Sequence, residues 1–192
     1  LGMASGAMHT CRNADLQMGE RVLIVGLGCI GQFAAQIASV MGARVTACDL
    51  DPHRLELARK IGAAEAVLDV SGNRWDEQIM PGTYQAVIDL AGVPGMEDRL
   101  SAAVAFRGRV LLIAGRNKVG YTFNLGQGRE VTIKQNSHFN RDDLENVHRL
   151  ACRDILQIAP LLQDIVPVVE ADRIYTMLMD HPGELMGTVF VW

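Results

Sequence analysis

The stretch RVLIVGLGCIGQFAAQIASVMGARVTACDLDPHR, residues 21–54, decides the fold of this chain. It opens with a continuous apolar run, which is typical of a parallel strand covered on both faces. A glycine-rich turn follows, and apolar residues then recur at helical spacing as far as Gly42. A second apolar run over residues 44–48 ends at Asp49. This order predicts a strand, a helix and a second strand parallel to the first.

The turn after the first strand holds Gly26, Gly28 and Gly31 in the spacing G-x-G-x-x-G. The first glycine permits a tight turn, the second lets a pyrophosphate approach the backbone, and the third lets the helix pack closely on the strand. Free N–H groups at the helix start would hold the phosphates. Cys29 and Ile30 lie inside this turn and are predicted to contact the same ligand. The context predicts a dinucleotide site, and the alternative is a tight turn that holds no ligand.

Asp49 ends the second strand, close to the offset of about 20 residues at which a carboxylate hydrogen-bonds the ribose 2′-hydroxyl of NAD. A carboxylate there would repel the 2′-phosphate of NADP, so NAD is the predicted cofactor. The alternative is that Asp49 caps the next helix, although Asp51 already occupies the cap position. Leu50 is predicted to contact the cofactor. Arg54 could equally reach the adenosine ribose or lie on the surface.

Two further predicted strands, residues 84–92 and 108–115, also end in glycine. Ligands of open α/β sheets bind beyond the carboxyl ends of the strands. Residues 91–93 and 113–116 are therefore predicted to border the nicotinamide half of the cofactor, and the alternative is that their glycines only form turns. The predicted contact residues in these segments are Ala91, Gly92, Val93, Ile113, Ala114 and Gly115.

The rest of the chain continues the alternation of strands and helices. Apolar patterns predict strands over residues 64–70, 129–135 and 186–192. They predict helices over residues 95–106, 142–155 and 170–178, with a helical turn or two over residues 73–79. The pattern predicts an α/β fold: a doubly wound, mostly parallel six-stranded Rossmann sheet with helices on both faces, plus a C-terminal helix and strand.

The same pass divides the chain into three parts. Residues 1–20 are expected to be a lead-in helix and turn, residues 21–135 the dinucleotide-binding core, and residues 136–192 the C-terminal helices and a returning strand. Residue 1 is Leu where a native start would carry Met, so the chain is expected to be a piece of a longer protein.

Composition narrows the function further. The chain has 192 residues, a net charge of -4 and no cluster of Lys and Arg, so no nucleic-acid partner is predicted. It has no signal-peptide pattern at its start and no apolar run near the length of about 18 residues that a membrane span needs. The spacings of the cysteines fit neither a zinc site nor a disulfide scaffold, which predicts a reducing, cytoplasmic location. These cysteines are Cys11, Cys29, Cys48 and Cys152.

The segments GERVLIVGLGCIGQFAAQIASVMGARVTACDLDPHRLELARKIGA, AVIDLAG, GRVLLIAG and GELMGTVFVW resemble the medium-chain, zinc-type alcohol and polyol dehydrogenases. The resemblance is to their coenzyme-binding domain and extends over nearly the whole chain. It implies hydride transfer between NAD and an alcohol or carbonyl substrate, a small alcohol or polyol. The positions that match coenzyme contacts of the family are Gly26, Gly28, Gly31, Asp49 and Arg54.

The resemblance also implies parts that these residues lack. Family members carry a preceding catalytic domain that supplies the zinc ligands and the proton relay, so this chain alone is expected to be inactive and to hold no metal. A homo-oligomer, a dimer or tetramer, is implied, with pairing through the strand after GQGRE. No catalytic residue is predicted here. His9, His138 and His148 are not expected to act.

Two other classes of function stay open at this point. One is a stand-alone NAD(H)-binding sensor or structural module without catalysis, which fits a chain that offers no catalytic group. The other is a related sheet that binds FAD or S-adenosylmethionine, since both ligands use glycine turns followed by an acid after the second strand.

Overall fold

A computed structural model describes residues 1–192, the side chain of Pro182 excepted. The chain divides into two compact units, Leu1–Leu156 and Gln157–Trp192. The first unit contains the whole of the stretch that opens with residue 21, and the second contains the C-terminal part.

A six-stranded sheet forms the centre of the first unit. Its strands are β1 (Arg21–Val25), β2 (Arg44–Asp49), β3 (Ala66–Asp69), β4 (Tyr84–Asp89), β5 (Val104–Leu112) and β6 (Thr132–Lys134). They lie in the order β3-β2-β1-β4-β5-β6, and every neighbouring pair is parallel. This is the strand order of dinucleotide-binding sheets, in which successive strands are added first on one side of β1 and then on the other. The predicted fold class is confirmed.

Helices connect these parallel strands, as crossover connections require. The helices of the first unit are α1 (Gly2–Asn13), α2 (Cys29–Val40), α3 (Pro52–Lys60), α4 (Trp75–Gln78), α5 (Glu97–Ala103), α6 (Phe123–Arg129) and α7 (Arg141–Ala151). Across the part of the chain that the structure describes, no helix combines the length and the apolar composition needed to cross a bilayer.

The core lies around β1, a central strand of the sheet. Val22, Leu23 and Ile24 have no exposed surface, because the sheet faces are covered on both sides. Ala34 and Ile37 of α2 are buried against this layer. Each large apolar side chain buried in this way contributes about 1.5–3 kcal/mol. The continuous apolar run of the sequence is thus explained by burial of both faces.

The helix predicted over residues 95–106 was wrong at its C-terminal end. Helix α5 ends at Ala103, and β5 begins at Val104. The register of β4 with β5 shifts at this point, and a Cβ on Gly108 would lie 2.4 Å from Val104 Cγ1 and 2.8 Å from the Gln85 carbonyl oxygen. The chain therefore folds back tightly between the helix and the strand, and the apolar residues pair with β4 where a helix was expected.

Strands β4 and β5 also end three residues earlier than predicted, at Asp89 and Leu112. For β4 the physical reason is competition by a side chain for backbone donors. The carboxylate of Asp89 accepts hydrogen bonds from the N–H groups of Ala91 and Gly92, at 3.0 and 3.1 Å, and so turns the chain out of the ladder. Gly92 then adopts a left-handed φ of 67°.

The second unit contains a small parallel sheet. Its elements are β7 (Asp164–Pro167), α8 (Ala171–Asp180) and β8 (Thr188–Val191). β7 and β8 pair in parallel, and the rings of Tyr175 and Phe190 stack with centroids 6.1 Å apart. The predicted helix and final strand are confirmed. β7 was not predicted, because four residues that end in proline carry almost no strand signal.

Candidate functional site

Three strands of the sheet, β3 and β2 on one side of β1 and β4 on the other, end in aspartate at the same edge. Asp49 ends β2, Asp69 ends β3 and Asp89 ends β4. The register pairs Asp49 with Asp69, and Val25 of β1 with Asp89. Ligands of open parallel sheets bind outside this carboxyl edge. The glycine turn after β1 lies between two of these carboxylates, which makes the edge the candidate site.

Two glycines of the turn are required by close packing. Gly26 has a φ of 92°, and a Cβ on it would lie 2.9 Å from the backbone nitrogen of Ala91. A Cβ on Gly31 would lie 1.9 Å from the carbonyl oxygen of Gly26, a distance no structure tolerates. By contrast, a Cβ on Gly28 would meet nothing within 4 Å. The turn is therefore held tightly at its two ends and leaves open space above its middle.

Helix α2 starts inside this turn. Gly28 is its N-cap residue, and none of the described side chains caps it. The first N–H groups of a helix have no partner within the helix, and they carry the positive end of its dipole. An anion is the ligand that such an end accepts best.

Asp49 holds the turn from the side. Its Oδ2 accepts a hydrogen bond from the N–H of Leu27 at 2.5 Å, and its Oδ1 accepts from those of Leu50 and Asp51 at 2.7 and 2.9 Å. A carboxylate offers about four acceptor positions, so about one remains for a ligand hydroxyl. The nearest guanidinium nitrogen of Arg54 lies 4.0 Å from Oδ2.

The cap of α3 is Asp51. Its carboxylate accepts from the N–H groups of His53 and Arg54, and Pro52 occupies the first helical turn. Asp49 is thus left outside the cap, and its carboxylate serves the glycine turn.

Gln32 joins the glycine turn to α3. Its Nε2 donates to the carbonyl oxygens of Leu27, at 3.2 Å, and of Arg54, at 2.9 Å. The side chain has no exposed surface, and among the described side chains its Oε1 is a buried acceptor without a partner. The turn and the helix that carries Arg54 are therefore fixed relative to each other by one buried amide.

A cavity of about 450 Å³ opens beside these groups. Its volume lies within the range of about 300–1,000 Å³ that is usual for small-molecule sites. The predicted residues that line it are Gly26, Gly28, Asp49, Leu50, Arg54, Ala91 and Val93. The sequence did not indicate its other walls, which include Val70, Asn73, Trp75, Leu90, Met96 and Arg99.

Other predicted positions lie nearby. Gly92 and Gly115 border a second, more open groove together with Arg116. A Cβ on Gly92 would lie 2.8 Å from the Cβ of Ala114, so the turns after β4 and β5 touch. In the described structure the remaining predicted positions line neither space. These are Cys29, Ile30, Gly31, Ile113 and Ala114. Cofactor contact by any of these residues stays a prediction.

A buried ion cluster joins the turns after β4 and β5. The guanidinium of Arg116 contacts the carboxylate of Asp89 and lies 3.3 Å from Glu97 Oε1. Its Nε also donates to the carbonyl oxygen of Ala114 at 3.2 Å. Burial alone would lower the pKa of Arg116, but Asp89 and Glu97 outweigh it and raise that pKa above its ordinary value. The cluster thus holds a permanent cation between two acids.

Asp89 and Glu97 were missed by the sequence analysis. A signal for Asp89 was present, because the chain repeats an aspartate between apolar residues at the ends of three strands. These are Cys48-Asp49-Leu50, Leu68-Asp69-Val70 and Ile88-Asp89-Leu90. Glu97 has no comparable signal.

Two histidines, His9 in α1 and His148 in α7, have side-chain partners, and neither lines the cavity. His9 Nδ1 lies 2.7 Å from Asp143 Oδ2, and Arg12 Nη1 lies 2.8 Å from Asp143 Oδ1, which ties α1 to α7. Burial opposes ionisation of Asp143, yet hydrogen bonds from the Asn140 N–H, His9 and Arg12 lower its pKa. His148 Nε2 lies 3.5 Å from Cys152 Sγ on α7.

No metal site forms among the described residues, where no three His, Cys, Asp or Glu side chains come together. All four cysteines are free thiols. Burial raises the pKa of both Cys11 and Cys48 to about 12, so these two thiols stay protonated at neutral pH.

The profile of the family described as zinc-binding dehydrogenase matches residues 29–153. The chain belongs to the zinc-binding dehydrogenase family. Along most of its length this family member is 28% identical to the L-threonine 3-dehydrogenase of Idiomarina loihiensis, over 189 residues that make up 94% of this chain and 54% of the relative. A shorter match to the L-threonine 3-dehydrogenase of Alteromonas mediterranea is 44% identical over 93 residues, 46% of this chain and 27% of that protein. The chain thus spans about half the length, at most, of the curated relatives that it matches.

Solved structures of dehydrogenases and reductases have the same fold. The L-idonate 5-dehydrogenase of Escherichia coli superposes with a TM-score of 0.87 at 18% identity, over 100% of this chain and 55% of the other, and shares the fold. An acetophenone reductase of Geotrichum candidum, solved in complex with NAD, superposes with a TM-score of 0.84 at 26% identity, over 97% and 52% of the two chains. The resemblance predicted from the sequence is confirmed.

Proposed function

We infer that this chain binds NAD(H) and forms the coenzyme-binding half of an alcohol or polyol dehydrogenase-like oxidoreductase. The observation that carries this proposal is the glycine turn with open space above Gly28, flanked by Asp49 with an acceptor position to spare. A dinucleotide needs both features, because it carries a pyrophosphate and a ribose diol.

The residues of the chain divide the binding work between them. The N-terminal N–H groups of α2 hold the pyrophosphate, and the missing Cβ of Gly28 lets it approach. Asp49 accepts from a ribose hydroxyl and repels a 2′-phosphate, which favours NAD over NADP. Arg54, 4.0 Å from Asp49, offsets the charge of that carboxylate.

When bound, the nicotinamide ring supplies the carbon that donates or accepts a hydride. The turns after β4 and β5 form the wall proposed to border this ring. Because the relatives are about twice as long as this chain, we assign the alcohol or polyol pocket, the catalytic groups and any zinc to a further part of a longer protein. No step is assigned to zinc here, since the described residues offer no set of ligands.

Assembly and location are part of the same proposal. β6 is the last strand of the sheet, and subunit pairing along it would give a homo-oligomer, a dimer or tetramer. Four free thiols support a cytoplasmic location.

Tryptophan fluorescence tests the proposal directly. Trp75 lines the cavity, whereas Trp192 is almost fully exposed in the second unit, so Trp192→Phe leaves Trp75 as the reporter. NADH should quench this emission at lower concentration than NADPH. Asp49→Ala should reduce the ratio of NADH affinity to NADPH affinity about tenfold, the equivalent of about 1.4 kcal/mol.

Asp69→Ala is the matched control, because Asp69 ends the neighbouring strand β3 but does not line the cavity. It should leave the ratio of NADH to NADPH affinity unchanged. Absence of quenching by either nucleotide at millimolar concentration would contradict cofactor binding. An unchanged ratio in Asp49→Ala would contradict the role of Asp49 alone.

A further inference from the structure

Arg116 lies at the centre of a network that the proposed chemistry does not use. Its side chain is 6% exposed, and its guanidinium contacts Asp89, whose side chain is 2% exposed, and Glu97, whose side chain is 5% exposed. Buried charges are costly unless they are paired and hydrogen-bonded. Here three charged side chains are buried together, and one cation contacts two acids.

The contacts of Arg116 reach both turns at the carboxyl edge. Asp89, which Arg116 holds, also accepts from the N–H groups of Ala91 and Gly92 in the turn after β4. The Nε of Arg116 donates to the carbonyl oxygen of Ala114 in the turn after β5. A single guanidinium therefore fixes the two turns against each other.

Backbone hydrogen bonds also join the two turns. The N–H groups of Ile113 and Ala114 donate to the backbone carbonyl oxygen of Asp89 at 3.1 and 3.3 Å, and these bonds do not involve the carboxylate that Arg116 contacts. The planar fork of arginine can serve several acceptors in one fixed orientation, which the ammonium of lysine cannot do.

We propose that Arg116 is a positioning residue that holds the turns after β4 and β5 as one wall against the nicotinamide half of the cofactor. This rests on the proposed function. Arg116 does not contact the cofactor in this proposal and acts through the backbone of residues 91–92 and 113–115. The adenosine half, at Asp49 and Arg54, should be insensitive to it.

Binding of two ligands, NADH and ADP-ribose, distinguishes the nicotinamide half of the site from the adenosine half. ADP-ribose has every part of NADH except the nicotinamide, so it reports on the glycine turn and Asp49 alone. In Arg116→Lys, the dissociation constant of NADH should rise about tenfold, and that of ADP-ribose should change less than twofold. The enhanced fluorescence of bound dihydronicotinamide should fall in the same variant. Glu97→Gln keeps the contact between Arg116 and Asp89 and should leave both ligands within twofold of wild type.

The outcomes are distinct. Equal losses for NADH and ADP-ribose in Arg116→Lys would overturn the proposal, since they would indicate a general structural role, and so would no loss for either. A wild-type protein that binds neither ligand would overturn the proposed function itself. If Arg116→Lys does not fold, the combination of Asp89→Asn, Glu97→Gln and Arg116→Gln removes every charge of the cluster and is measured against the same two ligands with the same expectation.

Discussion

Asp49 and Asp89 end the two strands that flank β1, yet they serve different purposes. Asp49 is 9% exposed, faces the cavity, and has its arginine 4.0 Å away. The Asp89 side chain is 2% exposed and is in direct contact with Arg116. An aspartate at the same point of the two strands that flank β1 is thus open to a ligand in one case and built into the wall in the other. The position of the cation makes this difference.

The largest expected effect separates the two arginines. Arg116→Met leaves Asp89 and Glu97 buried without a cation and should lower the free energy of unfolding by about 3–5 kcal/mol. Arg54→Met removes a cation at longer range and should cost about 1 kcal/mol or less. Urea unfolding followed by circular dichroism measures both. Equal losses would break the comparison, because both carboxylates would then depend on their cations to the same degree.

Gly28 and Gly31, in the turn after β1, should give the next largest effect. Gly31→Ala places a Cβ 1.9 Å from the Gly26 carbonyl oxygen and should cost about 3 kcal/mol of stability. Gly28→Ala meets nothing within 4 Å and should change stability by about 0.5 kcal/mol or less while it weakens NADH binding. Thermal unfolding and NADH titration on both variants measure these quantities. If Gly28→Ala binds NADH as well as wild type does, the space above this glycine is not where the ligand lies.

The smallest expected effect concerns two thiols, Cys29 at the start of α2 and Cys48 in β2. Burial raises the pKa of Cys48 to about 12, so iodoacetamide at pH 8 should leave it unmodified in the folded protein. Burial also raises the pKa of Cys29, but its thiol is partly exposed and should react slowly. NADH at ten times its dissociation constant should slow the reaction of Cys29 about tenfold. Peptide mass spectrometry measures the rate at which each thiol is modified. If NADH does not change the rate for Cys29, the ligand binds elsewhere.

Most of the sheet could be predicted from local pattern. The apolar run of β1 and the helical spacing of α2 follow from burial, and burial acts on each residue separately. The boundary at Val104 could not be predicted, because it depends on pairing with Tyr84 and on the close approach of Gly108 to Gln85. These contacts are set by tertiary packing, which leaves no periodic mark in the sequence.

The site divides in the same way. Asp49 could be predicted because its distance from the glycine turn is fixed by one strand and one helix. The contact between Asp89 and Arg116 joins residues 27 positions apart, and its formation depends on how two turns meet at the sheet edge. Sequence spacing predicts a residue that acts within one βαβ motif, such as Asp49. It does not predict a contact between two βα turns, such as that of Asp89 with Arg116.

The central place of β1 has a consequence for biosynthesis. The N–H of Arg21 donates to the side chain of Gln85, which lies 64 residues later in the chain. Ribosomes add about 5–20 residues per second, so roughly 3–13 s separate the synthesis of these two positions. During that interval one edge of an apolar strand has no partner and can pair with another chain. The buried central strand β1 is therefore the strand with the longest interval between its own synthesis and that of a neighbouring strand. Slow translation between residues 26 and 84 should favour aggregation of the nascent chain.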